Sequence, residues 1–213
     1  MPVVFLDTDS YTFTGDEIAV VRKALNEAEA EVRTLLPSLP AKLSLLVSPT
    51  EFVIPELGSM GIALSPDIIQ FSVDPEHAGG VAEVACATFR FTLFHECHHA
   101  AREKALGRQG TSLVPSAIHE GLATAFERDF AGHEPLWGYD NTEIHSWTAD
   151  FLALGAQDYC HWLFNHPEGR RWIGDKAGTY LVDRAIANGK TSAVKLLAVE
   201  WSDVLTMAGY SQT

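Results

Sequence analysis

The residues best suited to chemistry gather in one stretch, Thr92-Leu93-Phe94-His95-Glu96-Cys97-His98-His99, which holds the pattern HExxH. In a helix, 3.6 residues per turn put His95 and His99 one turn apart on the same face. Two imidazoles so placed can grip one Zn²⁺ through ring nitrogens. Glu96 then lies about 100° round from His95, near enough to reach a water on the metal without being a ligand. Zinc lowers the pKa of such a water to about 7, and Glu96 can take its proton as general base. The plainer reading is two satisfied core histidines beside a helical glutamate. The flanks argue against it. Cys86, Phe89, Phe91, Leu93 and Phe94 describe a nearly wholly buried helix, where polar side chains without partners are costly.

A third ligand must come from elsewhere. HExxHxxGxxH is excluded, because Arg102 and Ala105 stand where glycine and histidine would fall. The other common solution draws a glutamate from a following helix. Ile118-His119-Glu120-Gly121-Leu122-Ala123 supplies one after a spacer of 20 residues. Glu120 shares a helical face with Ala123, Thr124 and Glu127, mostly small residues that permit close approach. His119 shares its face with Leu122, Phe126 and Phe130 and reads as a core or supporting histidine. The ligand set is therefore His95, His99 and Glu120, with one zinc per chain. His98 follows His95 at i+3, so a His95–His98 pair is conceivable, but HExxH with its glutamate explains more residues. Cys86 and Cys97, 11 residues apart, share the back of the helix about 16 Å apart along its axis. They cannot bridge, and both are expected to be buried small hydrophobes.

At this point the chain resembles a known family. HECHH, then HEGLA, then Pro135-Leu136-Trp137, Trp172-Ile173-Gly174 and Gly178-Thr179-Tyr180 look like a family of predicted zinc-dependent proteases of bacteria. That family belongs with the gluzincins, which use HExxH plus a downstream glutamate. The similarity covers about residue 58 onward. It implies metallopeptidase activity, with His95, His99 and Glu120 as zinc ligands and Glu96 as base. One position departs from the pattern: many gluzincins place Asp four residues after the ligand glutamate to orient a ligand histidine, and here that position is Thr124. Thr124, Glu127 or another group must do that work.

Amide hydrolysis also develops an oxyanion, which these enzymes stabilise with Tyr, His or Arg beyond the metal. Tyr180 is the preferred candidate, with His145, Tyr139 and His161 as alternatives. Each of these, like Trp137, Trp147, Trp162 and Trp172, has an ordinary packing role as its plainer reading.

The elements that must position these groups follow from periodicity. Val3 to Leu6 reads as a short strand, and Asp16 to Leu36 as a helix with Ile18, Val21, Leu25, Ala28, Val32 and Leu35 on one face, ended by Pro37. Three strand-like runs follow, Leu43–Val47, Gly61–Leu64 and Ile68–Val73, the last two joined by the turn Ser65-Pro66-Asp67. Gly61–Leu64 could be an edge strand able to hold an extended peptide, or a plain internal one. Beyond Asp74-Pro75 the pattern is helical: Gly79 to Leu106 with Gly107 as cap, then about 115–130, 142–165, 169–188 and 191–208. The expected fold is α+β, a small N-terminal mixed or antiparallel sheet packed on the metal-binding helix, followed by a mainly helical C-terminal half. The 213 residues suit a single domain of two lobes, about 1–107 and 108–213, with the active-site cleft between them.

Composition narrows the partners. The net charge of −13, with 15 Lys and Arg against 28 Asp and Glu, argues against nucleic acid and anionic membranes. No basic n-region precedes an apolar run at the start, and three cysteines make a poor disulfide framework, so the expected setting is cytoplasmic. The expected partner is a peptide or protein substrate. Two rivals remain: a zinc hydrolase or related enzyme acting on a small molecule, and a non-catalytic zinc-binding partner protein. An intact Glu96 speaks against the second, since a structural zinc needs no base beside it.

Overall fold

The computed structural model describes residues 2–107, 112–139, 142–154, 162 and 169–211. Two compact units emerge, Met1–Lys104 and Ala105–Thr213.

The first unit carries all four strands. β1 (Val3–Phe5) leads to helix α1 (Gly15–Leu35), followed by β2 (Ser44–Pro49), β3 (Ser59–Ser65), β4 (Ile68–Val73) and most of α2 (Gly80–Leu106). α1 starts where it does because Thr14 and Glu17 form a reciprocal capping box, each side chain bonding the other's backbone N–H. Its buried stripe is Val21, Leu25, Ala28 and Val32, the period expected of a helix lying on a core. β2 alternates strictly, burying Leu45 and Val47 while Ser44 and Leu46 are half-buried.

The strand order is β1-β2-β4-β3. β1, β2 and β4 run parallel, with α1 as the crossover between the first two, and β3 pairs antiparallel with β4. The sheet is thus mixed, and β3 is an edge strand, one of the two readings open for that segment. The β3–β4 turn carries a register shift between Ala63 and Ser65, and Ser65 Oγ donates to Asp67 Oδ1 at 2.7 Å. The sheet packs on α2: the rings of Phe71 and Phe89 lie 4.8 Å apart, and Ser59 and Thr88 share a buried hydroxyl hydrogen bond of 2.7 Å. α2 ends at Gly107, whose φ of +78° is the left-handed conformation of a C′ cap.

The second unit is helical among its described residues. α3 (Leu113–Phe126) runs on into a π-helical turn, Glu127–Ala131, and stops at Gly132 with φ +66°. α4 (Ile144–Ala153), α5 (Ile173–Gly189), α6 (Ala193–Leu196) and α7 (Trp201–Met207) follow. The helix expected over 191–208 is two short ones, because Ser192 caps α6 by accepting from Lys195 N–H and Glu200 is extended ahead of α7. Most of the helix expected over 142–165 beyond Leu154 lies outside the described residues. α3 and α5 cross with backbones in contact: a Cβ on Gly121 would collide with the backbone of Gly178, and one on Gly178 with that of Ala117. The packed cluster nearby is Leu113, Ala117, Phe151 and Ala177.

Candidate active site

The HExxH motif lies wholly on α2, within the first unit. Residues Phe91 to Arg102 of α2 are all buried, so this stretch is sealed on every side, as its apolar flanks require. His95 and His99 converge: their Nε2 atoms lie 3.0 Å apart and their rings meet edge to face at 4.7 Å. Two nitrogens on one tetrahedral zinc at about 2.0–2.1 Å would be about 3.3–3.4 Å apart, so the pair fits a shared ion with a shift of a few tenths of an ångström. Both are buried.

Glu96 is buried too and points to the sheet. The Ala63 N–H of edge strand β3 donates to Glu96 Oε2 at 2.7 Å. Opposite it stands Gly61, where a Cβ would lie 2.7 Å from Glu96 Cγ and 2.6 Å from Thr92 Cγ2. Only glycine lets the strand pass this close over the carboxylate. The Glu96 carboxylate is therefore oriented by the backbone of β3, which among the described residues pairs with one strand, β4, and with Ile54 through a single bridge at Ser59.

His98 and Cys97 are fully buried. Burial, then the neighbouring Glu96 charge, pushes the Cys97 thiol up, so it behaves as a small hydrophobe. Cys86 corrects its expectation: it is exposed. Only the second half of α2 is covered on all sides, and Cys86, Ala87 and Glu83 lie on an open face of the first half.

In the second unit Glu120 and His119 are both half-buried on α3. Thr124, one turn on from Glu120, is buried, and its hydroxyl has no hydrogen-bond partner among the described residues. Glu127 is wholly buried and takes His133 Nδ1 at 2.8 Å.

Three of the four oxyanion candidates fall in one network. Tyr180, 5 % exposed, has its phenol oxygen 2.8 Å from His145 Nδ1, and its ring packs edge-on against Tyr139 at 5.5 Å. Arg184 Nη1 donates to the same oxygen at 3.4 Å. Tyr139 donates to Asp183 Oδ2 at 2.8 Å. Burial, then this hydrogen bond to a carboxylate, pushes its phenol up. Arg128 clamps Asp183 with two bonds of 2.9 Å. These bonds to Asp183 are the first cause holding Arg128 above its already high range. His161, the fourth candidate, lies outside the described residues.

Residues 12–206 match the family model described as Predicted Zn-dependent protease (DUF2268). The chain belongs to this family. No curated protein and no solved structure matches it. The match reaches into both units: β2, β3 and β4 fall within it, as do α2 and α3, while β1 lies before it. The pieces that carry the resemblance have structural reasons. The glycines of HEGLA and of Gly178-Thr179-Tyr180 are the α3–α5 crossing, and Trp137 meets Trp172 edge to face at 5.8 Å. Sequence reading missed the Arg128–Asp183–Tyr139 and Glu127–His133 pairs. The available signal was the charged run Glu127-Arg128-Asp129 in the π-helical turn and Asp183 on α5, which does not say which pairs meet.

Proposed function

We propose that the protein is a zinc metallopeptidase of the gluzincin kind, with His95, His99 and Glu120 holding one Zn²⁺ and Glu96 acting as general base. The observation that carries this reading is the pairing inside one buried helix. Two imidazole nitrogens converge to 3.0 Å, and a carboxylate one residue along is held by the Ala63 amide. A structural zinc needs the first and has no use for the second. Imidazole and carboxylate donors suit zinc, and His95, His99 and Glu120 make a group that could hold one metal ion. The family's description points the same way.

Zinc bound there would supply Lewis acidity to a water and to the scissile carbonyl. The chain's residues do the rest. Glu96 accepts a proton as the water oxygen bonds to the carbonyl carbon. It returns that proton to the nitrogen as the C–N bond breaks, so carboxylate and amine leave together and Glu96 is regenerated. The Ala63 amide keeps the carboxylate aimed throughout. Tyr180 is assigned to the developing oxyanion, with His145 and Arg184 holding its phenol. A cytoplasmic setting goes with this reading; among the described residues no helix is long and apolar enough to cross a membrane.

Glu96→Gln tests the assignment. It keeps size and most hydrogen bonding but removes the base. Cleavage of a peptide library should fall by roughly 10² or more, while zinc content and melting temperature stay near wild type. Activity that survives the change refutes the mechanism.

A further inference from the structure

Three contacts tie edge strand β3 to the helix that carries the motif, and they are evenly spaced. Ser59 and Thr88 share a buried hydroxyl hydrogen bond of 2.7 Å. Gly61 faces Thr92 and Glu96, whose Cγ2 and Cγ atoms are the nearest to a Cβ built on the glycine. Ala63 N–H donates to Glu96 Oε2 at 2.7 Å. Every second strand residue thus meets every fourth helix residue. Two strand residues span about 6.8 Å and four helix residues about 6 Å, so strand and helix stay in step over this length. The rungs differ in kind. The first joins two hydroxyls, the second is a missing side chain, and the third is an amide on the carboxylate assigned as base.

The middle rung decides what the third can do. A Cβ on Gly61 would stand 2.6 Å from Thr92 Cγ2, 2.7 Å from Glu96 Cγ and 3.0 Å from Glu96 Oε1, well inside the roughly 3.5–4.0 Å of ordinary carbon contacts. All three are side-chain atoms. A methyl there leaves the ladder to β4 in place and displaces the glutamate, which carries its carboxylate off the line of the Ala63 N–H. An amide bond to a carboxylate is charge-assisted and directional, so it fixes the group only while that line holds. The Ala63 N–H can serve in this way because alternate residues of an edge strand turn their N–H away from the neighbouring strand.

We propose that Gly61 and the Ala63 amide are positioning residues for the peptidase chemistry: β3 holds Glu96 in the rotamer in which it acts as base, through an absent Cβ and a backbone N–H. The proposal rests on the peptidase reading and deepens it. Neither group is assigned to the metal, so base positioning and zinc binding are separable.

Two full-length variants break the hold in different ways. Gly61→Ala pushes the carboxylate aside, and Ala63→Pro removes the N–H at an edge position where proline costs the ladder no bond. On a peptide that the unmodified chain cleaves, each should lower kcat by at least about tenfold, the scale on which a misplaced group costs rate, with KM within about twofold and zinc still bound. Thr88→Val is the control, because it breaks the first rung and loosens the same strand–helix contact away from the base. It should lower the melting temperature and leave kcat within about threefold. A second readout needs no turnover. In amide NMR of the full-length chain, the Ala63 proton should move upfield in Gly61→Ala, as in Glu96→Gln. An unchanged kcat in either Gly61→Ala or Ala63→Pro overturns the proposal, as does a kcat loss in Thr88→Val as large as theirs. An Ala63 proton that stays in place in Gly61→Ala also overturns it. A chain whose Ala63 proton responds as expected, yet which cleaves no member of a peptide library, keeps the strand's hold on Glu96 and loses the peptidase, and with it the role given to that hold. A chain that cleaves peptides equally well with either substitution keeps the peptidase and loses the positioning role.

Discussion

Glu96 and Glu120 carry the two assignments that the residue scale can test separately. One is held by a backbone amide at 2.7 Å and does not need to touch metal. The other is assigned as a ligand, so its loss should be felt first in binding. Glu120→Ala should weaken zinc affinity by more than the roughly 10–100-fold typical of losing a group that merely supports a ligand. His119→Ala should leave the metal in place, at most loosening the core. Isothermal titration of the metal-stripped chain with zinc separates the two. Retained affinity in Glu120→Ala, with loss in His119→Ala, would reverse the ligand assignment. The motif itself was readable because every relation in it is local. The i, i+4 spacing of His95 and His99 is turned into proximity by any helix. The pairing of Tyr180 with His145, 35 residues apart, was not readable, although both residues stood out as candidates. Nor was the exposure of Cys86, since its neighbours Val84, Ala85 and Ala87 are more apolar than the histidines and glutamate around Cys97, and only tertiary packing distinguishes the two ends of α2.

At the scale of elements, two local devices set where the active groups stand. The first is the α3–α5 crossing, where Gly121 and Gly178 bring backbones into contact. Gly178→Ala places a methyl into the Ala117 carbonyl with no flexible side chain to yield, so the helices must separate. The expected cost is about 1–3 kcal/mol, the usual range for overpacking, read as a lower urea midpoint. An unchanged midpoint would mean that the crossing is looser than described. The second device is the α1 cap. Thr14→Ala removes the acceptor for Glu17 N–H and the hydroxyl that donates to Glu17 Oε2, while the backbone N–H of residue 14 still donates to that carboxylate. A loss of about 1 kcal/mol is expected by the same measurement. A Thr14→Ser variant should recover most of it, and failure of serine to do so would argue against the capping role. The strands and the Gly107 cap were legible from sequence, whereas the Thr14–Glu17 cap was missed, the helix having been expected to start at Asp16. The Ile68–Val73 strand stands at its expected limits, because β-branched runs between turn residues rarely do anything else. The glycine crossing was not legible, since glycine inside a helix carries no mark of what packs against it.

For the whole molecule, metal and stability are one question. Binding to the folded chain alone stabilises by RT ln(1 + [L]/Kd), about 2.7 kcal/mol when free zinc is 100 times Kd. For a chain of this size each kcal/mol shifts the melting temperature by roughly 2–4 °C. Purified protein should therefore contain about one zinc per chain by elemental analysis. Chelation should lower the melting temperature by roughly 5–11 °C at that zinc excess, and added zinc should restore it. Magnesium or calcium should not, because two imidazoles and one carboxylate are a poor set for hard, oxygen-seeking ions. The control is Glu120→Ala, in which the zinc-dependent shift should shrink in step with the lost affinity. Glu96→Gln should retain the full shift, since it is not assigned as a ligand. The contrast matters more than either value: a shift that vanishes in both variants would make Glu96 a ligand and remove the general base from the mechanism. A melting temperature indifferent to zinc in the unmodified chain, together with no bound metal, would leave the His95–His99 pair as two core histidines sharing one hydrogen bond.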